Sequence, residues 1–266
     1  MEFLSGETVT IVFFMALLAG FVDSIAGGGG LISVPTLLSV GLSPTQALAT
    51  NKLQSSFGSF TATLNYSRGG IVTVRQMIPA IGFTFIGALI GTIAVQLMDA
   101  RILMNIIPFL LVSAALYFLF SPRVGDTDAQ QRMSPKVFYA VMGLGIGFYD
   151  GFFGPGTGSF WSIAFVLLLG FNLLKATGHT KVVNFTSNIT SLLFFALGGK
   201  VVWALGLIMG VGQILGAWLG SKMAMAWGAR LVRPLVVLVS LALTVKLVYA
   251  DPSNIIHRTI VGILGH

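Results

Sequence analysis

Cysteine is absent from all 266 residues, which excludes disulfides and thiol chemistry and leaves the redox compartment unmarked. Charge is scarce as well. Asp, Glu, Lys and Arg together make up 9% of the chain, against roughly 25% in an average soluble domain. Long hydrophilic stretches are missing too, apart from SPRVGDTDAQQRMSPK at 121–136. A chain so poor in charge, with a mean hydropathy of +0.92, cannot hide its apolar surface from water as one soluble domain. What it contains instead is a series of apolar runs of about 20 residues, each long enough to cross a bilayer as a helix. The chain therefore reads as an all-α polytopic membrane protein with about 8–10 membrane segments.

Glu2 and Glu7 precede the first apolar run and no basic stretch does, so that run is expected to be a retained helix. The net charge of +7 is spread over short loops. That distribution suits contact with anionic lipid headgroups and argues against nucleic acid as a partner.

The chain repeats itself. GFVDSIAGGGG (20–30) resembles GFYDGFFGPGTG (147–158), GLSPTQALATNKL (41–53) lies over GFNLLKATGHTKV (170–182), and IGALIG (86–91) lies over LGAWLG (215–220). This divides it into a first transmembrane repeat at 1–120, a polar linker at 121–136, a second repeat at 137–250 and a C-terminal tail at 251–266. Each repeat is expected to hold a long helix (7–26; 137–153) ending at a glycine cluster and then a short apolar piece (31–41; 158–170). Three full spans follow (45–66, 75–97, 102–120; 174–197, 201–223, 231–249). The piece 31–41 would reach only about 16 Å as a helix, short of a hydrocarbon core of about 30 Å. Short, Gly/Pro-interrupted segments at matching places in two halves point to a transporter binding site. Inverted halves with both termini outside put more basic residues in the cytoplasm, Arg68, Arg75, Arg132 and Lys175 among them. A parallel arrangement satisfies the positive-inside rule less well.

Polar groups at membrane depth are the next signal. Asp23 and Asp150 stand at equivalent places before the two breaks, and Lys52 and Lys181 are equivalent in the helices that follow. Ser43-Pro44 and Asn172 look like the caps of those helices, which sets Lys52 roughly 12 Å deep. An ammonium there costs about 2.5–3.5 kcal/mol unless it is paired or hydrated. Two readings stand side by side. In the first, Asp23 pairs with Lys52 and Asp150 with Lys181, as clamps between helices. In the second, the lysines and the exposed N–H groups of the breaks surround a small oxyanion. The candidate substrate-binding residues are then Gly27, Gly28, Gly29, Gly30, Asn51, Lys52 and Gln54 in the first half. In the second half they are Gly154, Gly156, Thr157, Gly158, Thr180, Lys181, Asn184 and Asn188. Asp23, Asp150 and His179 are the candidates for proton coupling or gating.

Other features call for less. IGALIG and LGAWLG read as close-packing stripes, and Trp161, Trp203 and Trp227 as core or interfacial anchors. The tail 254–264 could lie along the interface. GPGTG lacks the GK[ST] that a phosphate loop needs, and no metal or other cofactor is implied.

DSIAGGGGLISVP, ALATNKLQ, GFYDGFFGPGTGSF and KATGHTKVVNFTSN together resemble the TauE/SafE sulfite-exporter family, nearest its YfcA-type branch. The resemblance implies a bacterial inner-membrane secondary transporter of sulfite, organosulfonates or related organic acids. It carries over to the two Gly-rich breaks with Asp23 and Asp150, and to Asn51-Lys52 and Thr180-Lys181; Pro155 and Thr157 make the second break unlike the first. The expected partners are a small anionic substrate and the lipid bilayer, with a second copy of the chain as a candidate homodimer partner. The competing expectations are a passive anion channel and an intramembrane hydrolase built on Ser159 and His179. The latter lacks a G-x-S-x-G elbow.

Overall fold

The computed structural model describes residues 5–120 and 127–227. Among these it is all helical: α1 (Gly6–Ala26), α2 (Gly30–Ser39), α3 (Pro44–Arg68), α4 (Ile78–Gln96, entered through a 3₁₀ turn at Val74–Met77), α5 (Ala100–Phe120), α6 (Pro135–Phe152), α7 (Thr157–Leu169), α8 (Leu173–Leu197) and α9 (Trp203–Trp227). The expected helix at 231–249 and the interfacial tail at 254–264 lie outside the described residues.

Local chemistry explains the ends. The Ser43 hydroxyl accepts from the Gln46 N–H, and Gln46 Oε1 accepts in return from the Ser43 N–H, with Pro44 in the first turn of α3. Asn172 Oδ1 accepts from the Lys175 N–H at 2.9 Å to open α8. α1 stops where Gly27 turns to φ 82°, in the left-handed region that side chains with a Cβ disfavour. With 10 residues α2 reaches about 15 Å, and α7 with 13 reaches about 20 Å. Neither crosses a bilayer alone.

Three helical stretches, 6–26, 74–96 and 203–226, are long and apolar enough to cross a membrane by length and composition. Phe14, Ile78, Ile90, Val141 and Leu207 stand exposed on the helix surfaces, as side chains facing lipid do. Trp161 is wholly buried and Trp203 half exposed, while the Trp227 side chain lies outside the described residues.

The helices interlock across the chain. α1 packs chiefly on α9, and α4 on α6. The stripes read from the sequence make these contacts. A Cβ on Gly91 would fall 2.1 Å from the Phe148 carbonyl oxygen, and one on Gly216 would fall 2.0 Å from that of Leu17. Backbones meet this closely only where the side chain is a hydrogen atom. The contact register also fixes direction. Gly212, Gly216 and Gly220 meet Phe13, Leu17 and Phe21 in turn, so α9 runs parallel to α1. Gly87 meets Leu144, and Gly91 meets Phe148 and Phe152, so α6 runs parallel to α4.

Candidate functional site

The two breaks meet in the middle of the molecule. A Cβ on Gly27 would lie 2.3 Å from the Gly158 carbonyl carbon, and one on Gly30 would lie 2.9 Å from the Pro155 Cα. The C-terminal end of α1 thus abuts the N-terminal end of α7, and the Ser159 hydroxyl donates to the otherwise open Ala26 carbonyl at 3.0 Å. Opposite ends of two helix dipoles face one another there.

Around this junction lies a cavity of about 20 Å³, lined by Asp23, Gly27, Gly30, Asn51 and Ser55 from one half and by Asp150, Gly154, Thr157, Gly158, Asn184 and Asn188 from the other. Its surface carries open donors beside the two carboxylates. The Gly30 and Gly158 N–H groups, at the starts of α2 and α7, find no acceptor among the described residues. Asn51 Oδ1 accepts from Ser33 at 2.5 Å, Gln54 at 2.7 Å and Ser55 at 3.4 Å, which leaves its NH₂ group unengaged. The Asn184 carboxamide is buried, and its Oδ1 has no partner among the described residues.

The charged groups form two ion pairs, and each crosses between the halves. Lys52 Nζ lies 2.5 Å from Asp150 Oδ1 and 2.5 Å from the Asp150 main-chain oxygen. Lys181 Nζ donates to Asp23 Oδ2 at 3.0 Å and to the Asp23 carbonyl. The expected pairing of Asp23 with Lys52 and Asp150 with Lys181 is therefore corrected. With the breaks abutting at Gly27 and Gly158, each aspartate lies beside the central helix of the other half. Both ammonium groups also sit on carbonyls in the last turns of α1 and α6, where the helix dipole is negative.

The candidate residues do not all reach the cavity. Lys52 and Lys181 are fully buried behind the aspartates, so the carboxylates, and not the ammonium groups, face it. Gln54 stands outside the lining and holds Asn51 in place. Thr180 lies 3.1 Å from Ser162, oxygen to oxygen, a counterpart of the Ser33–Asn51 bond. Gly28 and Gly29 form the turn into α2, with the Gly29 N–H 3.3 Å from Asp23 Oδ1, while Gly156 turns at φ 85° to start α7. His179 points elsewhere: its Nδ1 bonds the Lys175 carbonyl oxygen at 2.8 Å and its ring packs on Phe165 and Phe171. Ser159 and His179 make no bond to one another, so no nucleophile–base pair is formed.

Sequence reasoning missed two residues. The Ser187 hydroxyl donates to Asp150 Oδ2, and Gln213 stands buried between Gly20 and Gly58. The available signal was the mismatch of Ser187 with its counterpart Gly58.

The sulfite exporter TauE/SafE profile matches residues 12–247. A protein of Escherichia coli K12 named probable membrane transporter protein YfcA is 50% identical over 239 residues, spanning 90% of this chain and 89% of its own. A Sinorhizobium protein named probable membrane transporter protein ORF9 is 47% identical over 254 residues, spanning 96% and 97%. A probable membrane transporter protein of Haemophilus influenzae is 47% identical over 243 residues, spanning 91% and 95%. No solved structure matches the chain. The profile covers both breaks and both lysine helices, and the chain belongs to the sulfite exporter TauE/SafE family of membrane transporters.

Proposed function

We propose that the protein is a secondary transporter, acting as an exporter, of small anions such as sulfite, organosulfonates or related organic acids. The anion binds where the two repeats meet. The observation that carries this reading is the cavity at the junction of the breaks, with the unengaged Gly30 and Gly158 N–H groups at positive helix ends suited to an oxyanion. The family name points to the same chemistry.

At about 20 Å³ the cavity suits one water and is smaller than a polyatomic oxyanion, so binding requires the lining helices to part. Rocking of one repeat against the other would do this from alternate sides. The repeats are inverted in this reading. In support, α1 and α3 run parallel to α9, whereas α6 runs parallel to α4, and α4 returns across the membrane after α3. The linker and the α7–α8 loop then face the cytoplasm of a bacterial inner membrane, with both termini outside. The sequence carries no nucleotide-binding motif, and the driving force is an electrochemical gradient.

The test is uptake and counterflow by purified protein in liposomes, against a panel of sulfite, sulfonates and small carboxylates. Saturable transport with counterflow is expected. Flux proportional to concentration without counterflow would indicate a channel, and Lys52→Ala and Lys181→Ala variants that transport normally would dispose of the site.

A further inference from the structure

Asp23 and Asp150 occupy matching places but are not held alike. Both carboxylate oxygens of Asp150 are engaged, Oδ1 by Lys52 at 2.5 Å and Oδ2 by the Ser187 hydroxyl, and its side chain is 4% exposed. Asp23 Oδ2 receives Lys181 at 3.0 Å, but among the described residues Oδ1 has only the Gly29 N–H at 3.3 Å, and this side chain is 21% exposed. The counterpart of Ser187 is Gly58, which has no hydroxyl to give. Gln213 fills that space: a Cβ on Gly58 would lie 2.2 Å from Gln213 Oε1, and one on Gly20 would lie 2.8 Å from it. The Gln213 side chain is 2% exposed and its carboxamide makes no hydrogen bond among the described residues. It stands about one helical turn along α1 from Asp23.

We propose that the two half-sites are functionally unequal: Asp23 is the carboxylate that takes up a proton, and doing so releases Lys181 to hold the anion, while Lys52, Asp150 and Ser187 form a fixed strut. The anion step rests on the transport reading above; the proton step does not. A proton from water forms the O–H bond on Asp23 and the ion pair opens. The positive charge of Lys181 is then balanced by one monovalent anion in place of the carboxylate. One proton and one anion occupy the site together and its net charge is unchanged, so the loaded step is electroneutral, and export by it runs down the outward gradient of the anion itself. An ammonium left unpaired in this interior is costly, so proton uptake and anion binding favour each other. Gln213 is a positioning residue, with a free carbonyl oxygen to accept from the neutral Asp23 carboxyl.

Among the described residues, the groups facing Asp23 are few. α8 presents Lys181, α2 presents the Gly29 N–H, and α3 presents Tyr66, whose OH bonds the adjacent Ser24 carbonyl at 2.8 Å. Lys52, also on α3, is taken by Asp150. On α9, Gln213 lies against Gly20, one turn before Asp23, and Lys222 is stacked on Trp218 at 4.0 Å. α7 carries no titratable residue.

The experiment is infrared titration of the reconstituted protein in the absence of any substrate, following the high-frequency carbonyl stretch of a buried protonated carboxyl group, apart from the broad band of the exposed ones. The band is expected to grow on acidification in the wild type and in Asp150→Asn, and to be lost in Asp23→Asn. Loss in Asp150→Asn alone, or in neither variant, overturns the assignment. Should Asp150→Asn fail to fold, Ser187→Ala replaces it: an unchanged midpoint is expected, and a shifted one overturns the proposal. With no anion present, failure here leaves the transport reading intact. A protein that transports no anion yet shows this titration would sink only the transport reading.

Discussion

Lys52 on α3 reaches out of its own half to Asp150 at the end of α6, contacting the carboxylate and the main-chain oxygen of one residue at 2.5 Å each. Lys181 does the same to Asp23 at the end of α1. Each break is thereby pinned to the central helix of the opposite half. Motion of one half against the other must load or release these pins.

Double-mutant cycles test the crossed pairing. Removing one partner of a buried ion pair costs about 3–5 kcal/mol, because the other is left uncompensated. Lys52→Met and Asp150→Asn should each destabilise on that scale, and together by much less than the sum. Lys181→Met with Asp23→Asn should couple likewise, less strongly because Asp23 is partly exposed. Lys52→Met with Asp23→Asn should be close to additive. Thermal unfolding in detergent reads all three, and strong coupling of Lys52 to Asp23 would refute the crossed arrangement.

The natural absence of cysteine makes orientation directly measurable. Gln130 in the linker and Lys200 between α8 and α9 are both exposed. With inverted repeats, Lys200→Cys should react with a membrane-impermeant maleimide on intact spheroplasts, and Gln130→Cys only after permeabilisation. Labelling of both from one side would exclude the proposed topology.

The linker is stitched to the start of α8 in a pH-dependent way. Asp128 Oδ1 accepts from the Asn172 N–H at 2.7 Å and from its side-chain amide at 3.0 Å, and Lys175 lies 3.7 Å away. The Asn172 N–H, helped by Lys175, holds the Asp128 carboxyl below the usual aspartate range. A depressed value means the contact contributes fully above the ordinary aspartate pKa of about 3.9 and is lost as pH falls through the lower folded value. The protection of the Asn172 amide against hydrogen exchange, relative to its intrinsic rate at each pH, should therefore hold near neutrality and fall only in strong acid. In Asp128→Asn that acid-dependent step should vanish.

Helix ends and breaks were legible because their causes are local. Ser43-Pro44, Asn172 and the two glycine clusters each act within a few residues, and the observed boundaries fall close to those expected. The pairing was not legible, since two equivalent aspartates and two equivalent lysines allow either assignment until the packing chooses. His179 misled through adjacency: residues two apart on a helix point to different faces, so standing near Lys181 in sequence did not bring it to the same cavity. Ser187 and Gln213 were hidden because a serine in a membrane helix most often bonds its own backbone, and a single glutamine in α9 gave no hint of where its carboxamide would lie.

Asn184 offers a separation of folding from binding. Its Oδ1 is buried and without a partner among the described residues, and its side chain lines the cavity. A buried polar group that makes no bond penalises the folded state, so an apolar residue of similar shape is neutral or stabilising. Asn184→Leu should accordingly unfold at the same temperature as the wild type or above it. If the carboxamide instead donates to a bound anion, its loss costs about 1–3 kcal/mol of binding, a weakening of roughly 5- to 150-fold. Asn184→Asp should bind worse still, because it sets a carboxylate against the anion. Titration of purified protein with the best anion of the panel reads the affinity, and thermal unfolding of the same samples reads the fold. Affinity unchanged in Asn184→Leu would remove Asn184 from the site, whereas a fall in both stability and affinity would make it a structural residue.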